Sequence, residues 1–293
     1  MKEDSLVTII IANFNNKKYI ENCLKSIKKN TIYSNYKVIV VDNASTDGSQ
    51  KMIKSKFKWV NILENKTNRG FSGGNNDGVQ YAIKKYNPDY FYFLSNDTYV
   101  QKKWLTEIIK TIQKFPKCGI VGSKQFNFEE KEVISAGWIK MFKVKYYLGK
   151  EEKEVGWVSG AGFLVKREVI KKIGFLDEIY NPAYYEETDF EKRAIGAGFK
   201  ILHCPKSLFL HKGGQTTKKK AKYFSNLFYR NRFIYFMKHH NLVYFLPRMF
   251  SDLFKKFKQK GFLGVKELFN LYWEGYVLIK RPKKEIFKRK LKI

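Results

Sequence analysis

The sequence is short of acidic side chains. Only 27 Asp and Glu stand against 57 Lys and Arg, a formal charge of +30 over 293 residues. That imbalance asks for an anionic partner; polyphosphate substrates, nucleic acid and anionic lipid all qualify. Cysteine is scarce as well. Cys23, Cys118 and Cys204 are scattered, odd in number and without metal-ligand spacing, so buried free thiols in a reducing compartment are expected. No apolar signal segment opens the chain, because Lys2, Glu3 and Asp4 lead straight into a strand-like run. No uninterrupted apolar stretch reaches the ~18–20 residues of a membrane helix. A cytoplasmic protein, soluble or peripheral, is the expectation. Internal repeats and low-complexity segments are also missing. Hydrophobic residues (44%) and aromatics (17%) are plentiful, enough for a real core in one large domain or two small ones.

The first half alternates strands and helices. Leu6 to Ala12 is a continuous, largely β-branched run, suited to a strand buried on both faces of a parallel sheet. Asn13, Phe14, Asn15 and Asn16 break it. An amphipathic segment follows, with Tyr19, Ile20, Cys23, Leu24 and Ile27 on one face. Tyr36 to Val41 repeats the strand pattern and ends in Asp42-Asn43-Ala44-Ser45-Thr46-Asp47-Gly48-Ser49, where Ser45 or Thr46 is placed to cap a helix. Val60 to Leu63 and Tyr90 to Leu94 complete four strands. This alternation predicts an α/β fold with a doubly wound sheet. Ligands of such sheets bind beyond the carboxyl ends of the strands, where Asn13–Asn16, Asp42–Asp47 and Ser95–Thr98 all fall.

Three stretches carry candidate chemistry. Asn68-Arg69-Gly70-Phe71-Ser72-Gly73-Gly74-Asn75-Asn76 is a glycine-rich loop opening a helix, so its backbone N–H groups can approach a phosphate or a sugar closely. It is not a P-loop, since no Gly-Lys-Ser/Thr follows, and Gly-x-Gly-x-x-Gly spacing after the first strand is absent. Ser95-Asn96-Asp97 ends a strand with one acid beside an amide, fit for a plain Asx-turn or for magnesium or manganese shared with substrate phosphates. Tyr184-Tyr185-Glu186-Glu187-Thr188-Asp189-Phe190-Glu191 puts four carboxylates into six residues of a basic chain. A helix from about Glu187 to Ala197 would hold them in its first turn, either as dipole-matched capping or as a general base beside a substrate.

Further along, the pattern loosens. Val133 to Lys153 reads as a hairpin or a flexible insertion. Trp157 to Val165 reads as one strand whose small residues admit something close. Lys200 to His203 is a short strand, and Leu208 to Lys212 brings His211 to a polar loop before two glycines. From Thr216 the composition shifts: Lys218, Lys219 and Lys220 open a region of aromatics mixed with Lys and Arg. Leu242 to Phe262 carries Phe245, Leu246, Met249, Phe250, Leu253, Phe254 and Phe257 at helical spacing among lysines. This fits a basic amphipathic helix on an anionic membrane, or a helix packed on the catalytic domain with a solvated basic face.

Taken in order from Leu6 to Gly214, these motifs resemble the family 2 glycosyltransferases of GT-A fold, most nearly the rhamnosyltransferase-like members. The resemblance implies a mixed doubly wound sheet, a catalytic domain over residues 1–215 and a basic, aromatic-rich helical region over 216–293. It implies a UDP- or dTDP-sugar donor held by Asn13, Asn15, Asp42, Asn68, Arg69, Gly70, Gly74, Asn75 and Asn96, with Asp42 reading the base. The family's Asp-x-Asp metal motif falls on Ser95-Asn96-Asp97 without its first acid, so Asp97 and a late His, His211, are the expected ligands of Mg²⁺ or Mn²⁺. The family's Glu-Asp catalytic pair falls on Glu186 and Glu187; either carboxylate can be the base, and Glu187 is taken as it. Trp157, Gly160 and Asp189 are expected at the acceptor. The implied activity is inverting transfer to a hydroxyl of a glycan, lipid-linked and at the inner face of the cell membrane. Two rival readings remain, a non-catalytic sugar-nucleotide binder and a nucleic-acid-binding module. The basic residues are densest after Thr216, away from the sheet motifs, so nucleic acid is not the expected partner.

Overall fold

A computed structural model of the chain describes residues 5–129, 131–139, 144–213, 221–240 and 242–280. Its first part runs β1 (Val7–Asn13), α1 (Lys17–Asn30), β2 (Tyr36–Asp42), α2 (Ser49–Lys56), β3 (Asn61–Glu64), α3 (Gly70–Tyr86) and β4 (Tyr90–Leu94). These strands are parallel neighbours in the order β3-β2-β1-β4. Their β-branched runs have a simple cause. Helices cover both faces, so Ile9, Ile10 and Ile11 are each 0% exposed and no side of the strand needs polar residues. Each such aliphatic side chain contributes about 1.5–3 kcal/mol on burial.

The chain then continues with β5 (Thr98–Val100), α4 (Trp104–Lys114), β6 (Cys118–Phe126), β7 (Ala136–Ile139), β8 (Val144–Tyr146), β9 (Lys153–Val155), β10 (Trp157–Val158) and β11 (Gly162–Lys166). After these come α5 (Arg167–Ile173), α6 (Glu186–Gly196), β12 (Lys200–His211), α7 (Ala221–His239) and α8 (Leu242–Lys280). The main sheet extends as β4-β11-β6-β12-β5, with β9 also on β12. β11 is antiparallel to β4 and β6, whereas β12 is parallel to β6, so the sheet is mixed. A second, smaller sheet has the order β10-β7-β8. One core lies beneath α1, α2 and α4, centred on Trp104 edge-on to Tyr92; the other lies beneath α3, α5 and α6. The three cysteines are buried free thiols, as expected.

Several expectations change. The helix after Asp42 is capped by neither Ser45 nor Thr46; its N-cap is Gly48, in left-handed conformation. The run from Trp157 to Val165 is two strands in different sheets, because the chain turns at residues 159–161 between β10 and β11. Lys200 to His211 is one strand with a bulge between Cys204 and Leu208. The Val133–Lys153 segment does form the β7–β8 antiparallel pair, whose reversal at 140–143 lies outside the described residues. The expected boundary at 215/216 and the run Lys218, Lys219 and Lys220 lie outside them too. The C-terminal helix extends to Lys280, with a non-helical break at Gly261.

Candidate active site

The carboxyl ends of β1, β2 and β4 meet in a network of short polar side chains. Asp42 accepts from Asn13 Nδ2 (3.0 Å), the Ser45 N–H (2.8 Å) and Gln50 Nε2 (2.8 Å). Asn13 Oδ1 in turn accepts from Asn96 Nδ2 (2.9 Å). Asn15, at positive φ, accepts the Thr46 N–H (2.7 Å) and thereby ties the end of β1 to the end of β2. Amides suit this place: each donates and accepts, so one buried row satisfies itself without net charge. Asp42 is 0% exposed, and its carboxylate orders Asn13, Ser45 and Gln50.

Beyond this network a cavity of about 450 Å³ opens, lined by Asn13, Asn68, Gly70, Asn96, Asp97, Gly160, Glu186, Glu187 and His211, among others. Gly70 has φ +67°, and a Cβ there would come 2.8 Å from Asn181 Oδ1 and 2.9 Å from Pro182 Cα. Only glycine lets the start of α3 meet the loop before α6 this closely. Three residues expected at the donor turn elsewhere. Arg69 pairs with Asp77 (2.7 Å) and Glu178 (3.1 Å), a bracing role. Gly74 makes room for Asn43, and Asn75 donates to the Phe71 carbonyl inside its own helix.

Asp97 and His211 lie far apart in sequence and come together through β5 and β12. These strands pair antiparallel with His211 opposite Thr98, which sets His211 Nε2 3.0 Å from Asp97 Oδ1. An imidazole and a carboxylate, both on the cavity wall, are a sound pair of donors for Mg²⁺ or Mn²⁺ when phosphate oxygens complete the shell. Among the described residues no group of three or more His, Cys, Asp or Glu could hold a metal. The pair therefore fits a cation that arrives with its diphosphate better than one caged by protein alone.

On another part of the wall α6 begins at Glu186, after Tyr184 and Tyr185 in left-handed conformation. Burial pushes Glu186 well above the usual carboxylate range, and the neighbouring Glu187 charge adds to it. Glu187 is raised by burial. One turn further, Glu191 is fully buried and also raised, first by burial and then by Glu187; its Oε1 accepts the Val158 N–H (3.0 Å). Burial thus raises all three carboxyls, and a charge on Glu187 raises both neighbours further. Gly160 faces this group: a Cβ there would come 3.1 Å from the Glu187 carboxyl carbon.

Two of the residues expected at the acceptor are corrected. The Trp157 indole packs against Gly137 and edge-on to Tyr146, in the small sheet. Asp189 is 0% exposed and holds Arg193 (2.8 Å), Lys238 (2.6 Å), His239 (2.7 Å) and the Tyr180 hydroxyl (3.0 Å). Burial would raise its carboxyl, but the His239 bond and the Arg193 and Lys238 charges prevail and hold it well below the usual range. Asp189 is thus the buried anchor of α6.

What sequence reading missed is the contribution of α7. Asn231 Nδ2 donates to the carbonyls of Tyr180 (2.7 Å), Ala183 (2.8 Å) and Tyr184 (2.9 Å), the loop that presents Glu186 and Glu187. Phe224 from the same helix lines the cavity, edge-on to Tyr184. The one available signal was a pair of asparagines, Asn226 and Asn231, amid the aromatics of α7, which names no partner.

Comparison with known proteins gives the family and the fold. The family described as Glycosyl transferase family 2 matches residues 8–174. The low-salt glycan biosynthesis hexosyltransferase Agl10 of Haloferax volcanii is 26% identical over 237 residues, 78% of this chain and 74% of that protein. The fold is shared with GalNAc-T7, crystallised with UDP, GalNAc and Mn²⁺ (TM-score 0.63, 14% identity, 81% of this chain and 48% of that one). It is shared too with the mannosyltransferase PcManGT of Pyrobaculum calidifontis, in complex with GDP-Man and Mn²⁺ (TM-score 0.59, 14% identity, 93% and 75%). The chain thus spans about half the length of the first and three quarters of the second. Both carry the GT-A sheet expected from the sequence.

Proposed function

Because the chain belongs to glycosyl transferase family 2, we propose that it is an inverting glycosyltransferase moving a sugar from a UDP- or dTDP-sugar to a glycan hydroxyl. The observation that carries this reading is a single cavity walled by Asp97 and His211 and by Glu186 and Glu187. Asn13, Asn15, Asn68, Gly70 and Asn96 bind the nucleotide sugar, with Asp42 fixing Asn13 and the Ser45 turn. Asp97 and His211 hold a divalent cation, Mg²⁺ or Mn²⁺, which supplies positive charge to the diphosphate. Glu187 accepts the acceptor hydroxyl's proton as its oxygen bonds to the anomeric carbon and the bond to the diphosphate breaks. Gly160 keeps the approach to Glu187 clear. The acceptor is a lipid-linked glycan, which puts the protein on the inner face of the cell membrane as a peripheral enzyme. Nucleic acid is not a partner.

The test is to incubate the protein with a panel of UDP-, dTDP- and GDP-sugars and Mn²⁺ and to follow release of the nucleoside diphosphate. Turnover of a UDP- or dTDP-sugar that stops in excess chelator is expected. Asp97→Asn and His211→Ala should each raise the Mn²⁺ concentration for half activity. Full activity in chelator would remove the metal role, and inertness towards the whole panel would remove the donor assignment.

A further inference from the structure

The sequence of α8 left two readings, and they differ in where its aromatics should be. A helix that merely packs on the enzyme buries its aromatics and leaves lysines in water. The observed helix does bury one face against α7, through Phe245, Leu268 and Tyr272. A second set of large apolar side chains faces outward. Phe250, Phe254 and Phe257, at i, i+4 and i+7, are 63%, 60% and 46% exposed. Past the break at Gly261, Phe262, Phe269 and Trp273 are 82%, 51% and 66% exposed, again at spacings of one helix face. The two stripes are continuous, because Phe257 and Phe262 meet edge-on across the break with centroids 5.4 Å apart. So much exposed aromatic surface on one helix marks an interaction site.

Charge decides the occupant. Lys255, Lys258 and Lys266 are exposed beside the stripe, and Lys258 Nζ lies 4.7 Å from the centroid of the Phe254 ring. Aromatic side chains flanked by lysine are the composition of a helix lying in the interface of an anionic bilayer, rings among the acyl chains and ammonium groups at the headgroups. No helix of the described residues is long and apolar enough to cross a membrane. We propose that the stripe from Phe250 to Trp273 is the docking face of the protein on an anionic lipid surface, with α8 lying flat on it. This gives the peripheral placement proposed above a definite surface. It requires no sugar transfer, so it stands or falls separately from the donor reading.

The experiment is co-sedimentation of the full chain with vesicles of phosphatidylcholine alone or mixed with phosphatidylglycerol, alongside light scattering of the free protein. Binding to the anionic vesicles, weakened by salt and nearly absent with neutral ones, is expected. Each basic residue near an anionic surface multiplies partitioning by about five, so replacing Lys255, Lys258 and Lys266 with Gln should lower it about 100-fold. Phe250→Ser with Phe254→Ser should lower the binding that survives high salt, and both residues are exposed, so the fold is spared. Equal binding by wild type and both variants, or no binding to anionic vesicles, overturns the proposal. So does a dimer that the serine variant converts to monomer, which would assign the stripe to a second copy of the chain.

Discussion

The two walls of the cavity are held in different ways. The side proposed for the nucleotide is assembled by neighbours: consecutive parallel strands end at one level, and Asp42, Asn13 and Asn96 bond across adjacent strand ends. The acid side is assembled from a distance. Glu186 and Glu187 follow a loop with two left-handed tyrosines, and that loop is held by Asn231 from α7 while Asp189 ties α6 to Lys238 and His239. The same helix therefore carries carboxyls shifted in opposite directions two residues apart. Asp189 has cations around it and is driven down; Glu187 has burial without a cation and is driven up. The difference teaches that an acidic cluster has no common chemistry. Each carboxyl takes its behaviour from what the tertiary fold brings to it.

The largest effect should come from the acid wall itself. Glu187→Gln is expected to lower kcat about 10²–10⁴-fold with UDP affinity nearly unchanged. Loss of activity in Glu186→Gln with retention in Glu187→Gln would exchange the roles of the pair. Because the raised carboxyl must lose its proton to act, kcat/KM of the wild type should rise with pH through a value above that of a free glutamate.

Asn231→Leu asks whether the distant support matters. Three loop carbonyls lose their donor, and a loop displaced by about 1 Å can cost ~10²-fold in rate. The expected result is a fall in kcat while calorimetric UDP affinity changes less than twofold, since Asp42, Asn13 and Asn96 are held by bonds across adjacent strand ends. Equal loss of both would show that the two walls are one cooperative unit.

The smallest effect sharpens the carboxyl comparison. A carboxyl raised by folding adds stability below its unfolded value and loses that contribution as pH rises through the folded value. Glu191→Gln keeps an acceptor for the Val158 N–H and removes the buried charge. Its Tm should exceed that of the wild type at pH 8 and match it at pH 4; a lower Tm at both would mean that the Glu191 charge is useful where it lies.

Part of this protein was legible in its residues. β-branched runs that need two apolar faces specify parallel strands, and the turn residues after them lie at one end of the sheet, where the structure sets Asn13, Gly70, Asn96 and Asp97 around one cavity with Gly160 and Glu187. Arg69, Gly74, Asn75, Trp157 and Asp189 were misplaced for one reason: a motif gives a residue's position along the chain, and the direction of its side chain depends on which distant element packs there. Asp189 reads as one more acid until Lys238 and His239 of α7 arrive. The C-terminal helix shows the same limit. Its composition specified an amphipathic, basic helix, but which aromatics are spent on packing was decided only when α7 took Phe245, Leu268 and Tyr272 and left Phe250, Phe254 and Trp273 in water. Local periodicity is a property of the chain; partner choice is settled by the competition of all faces for burial, and that exists only in the folded molecule.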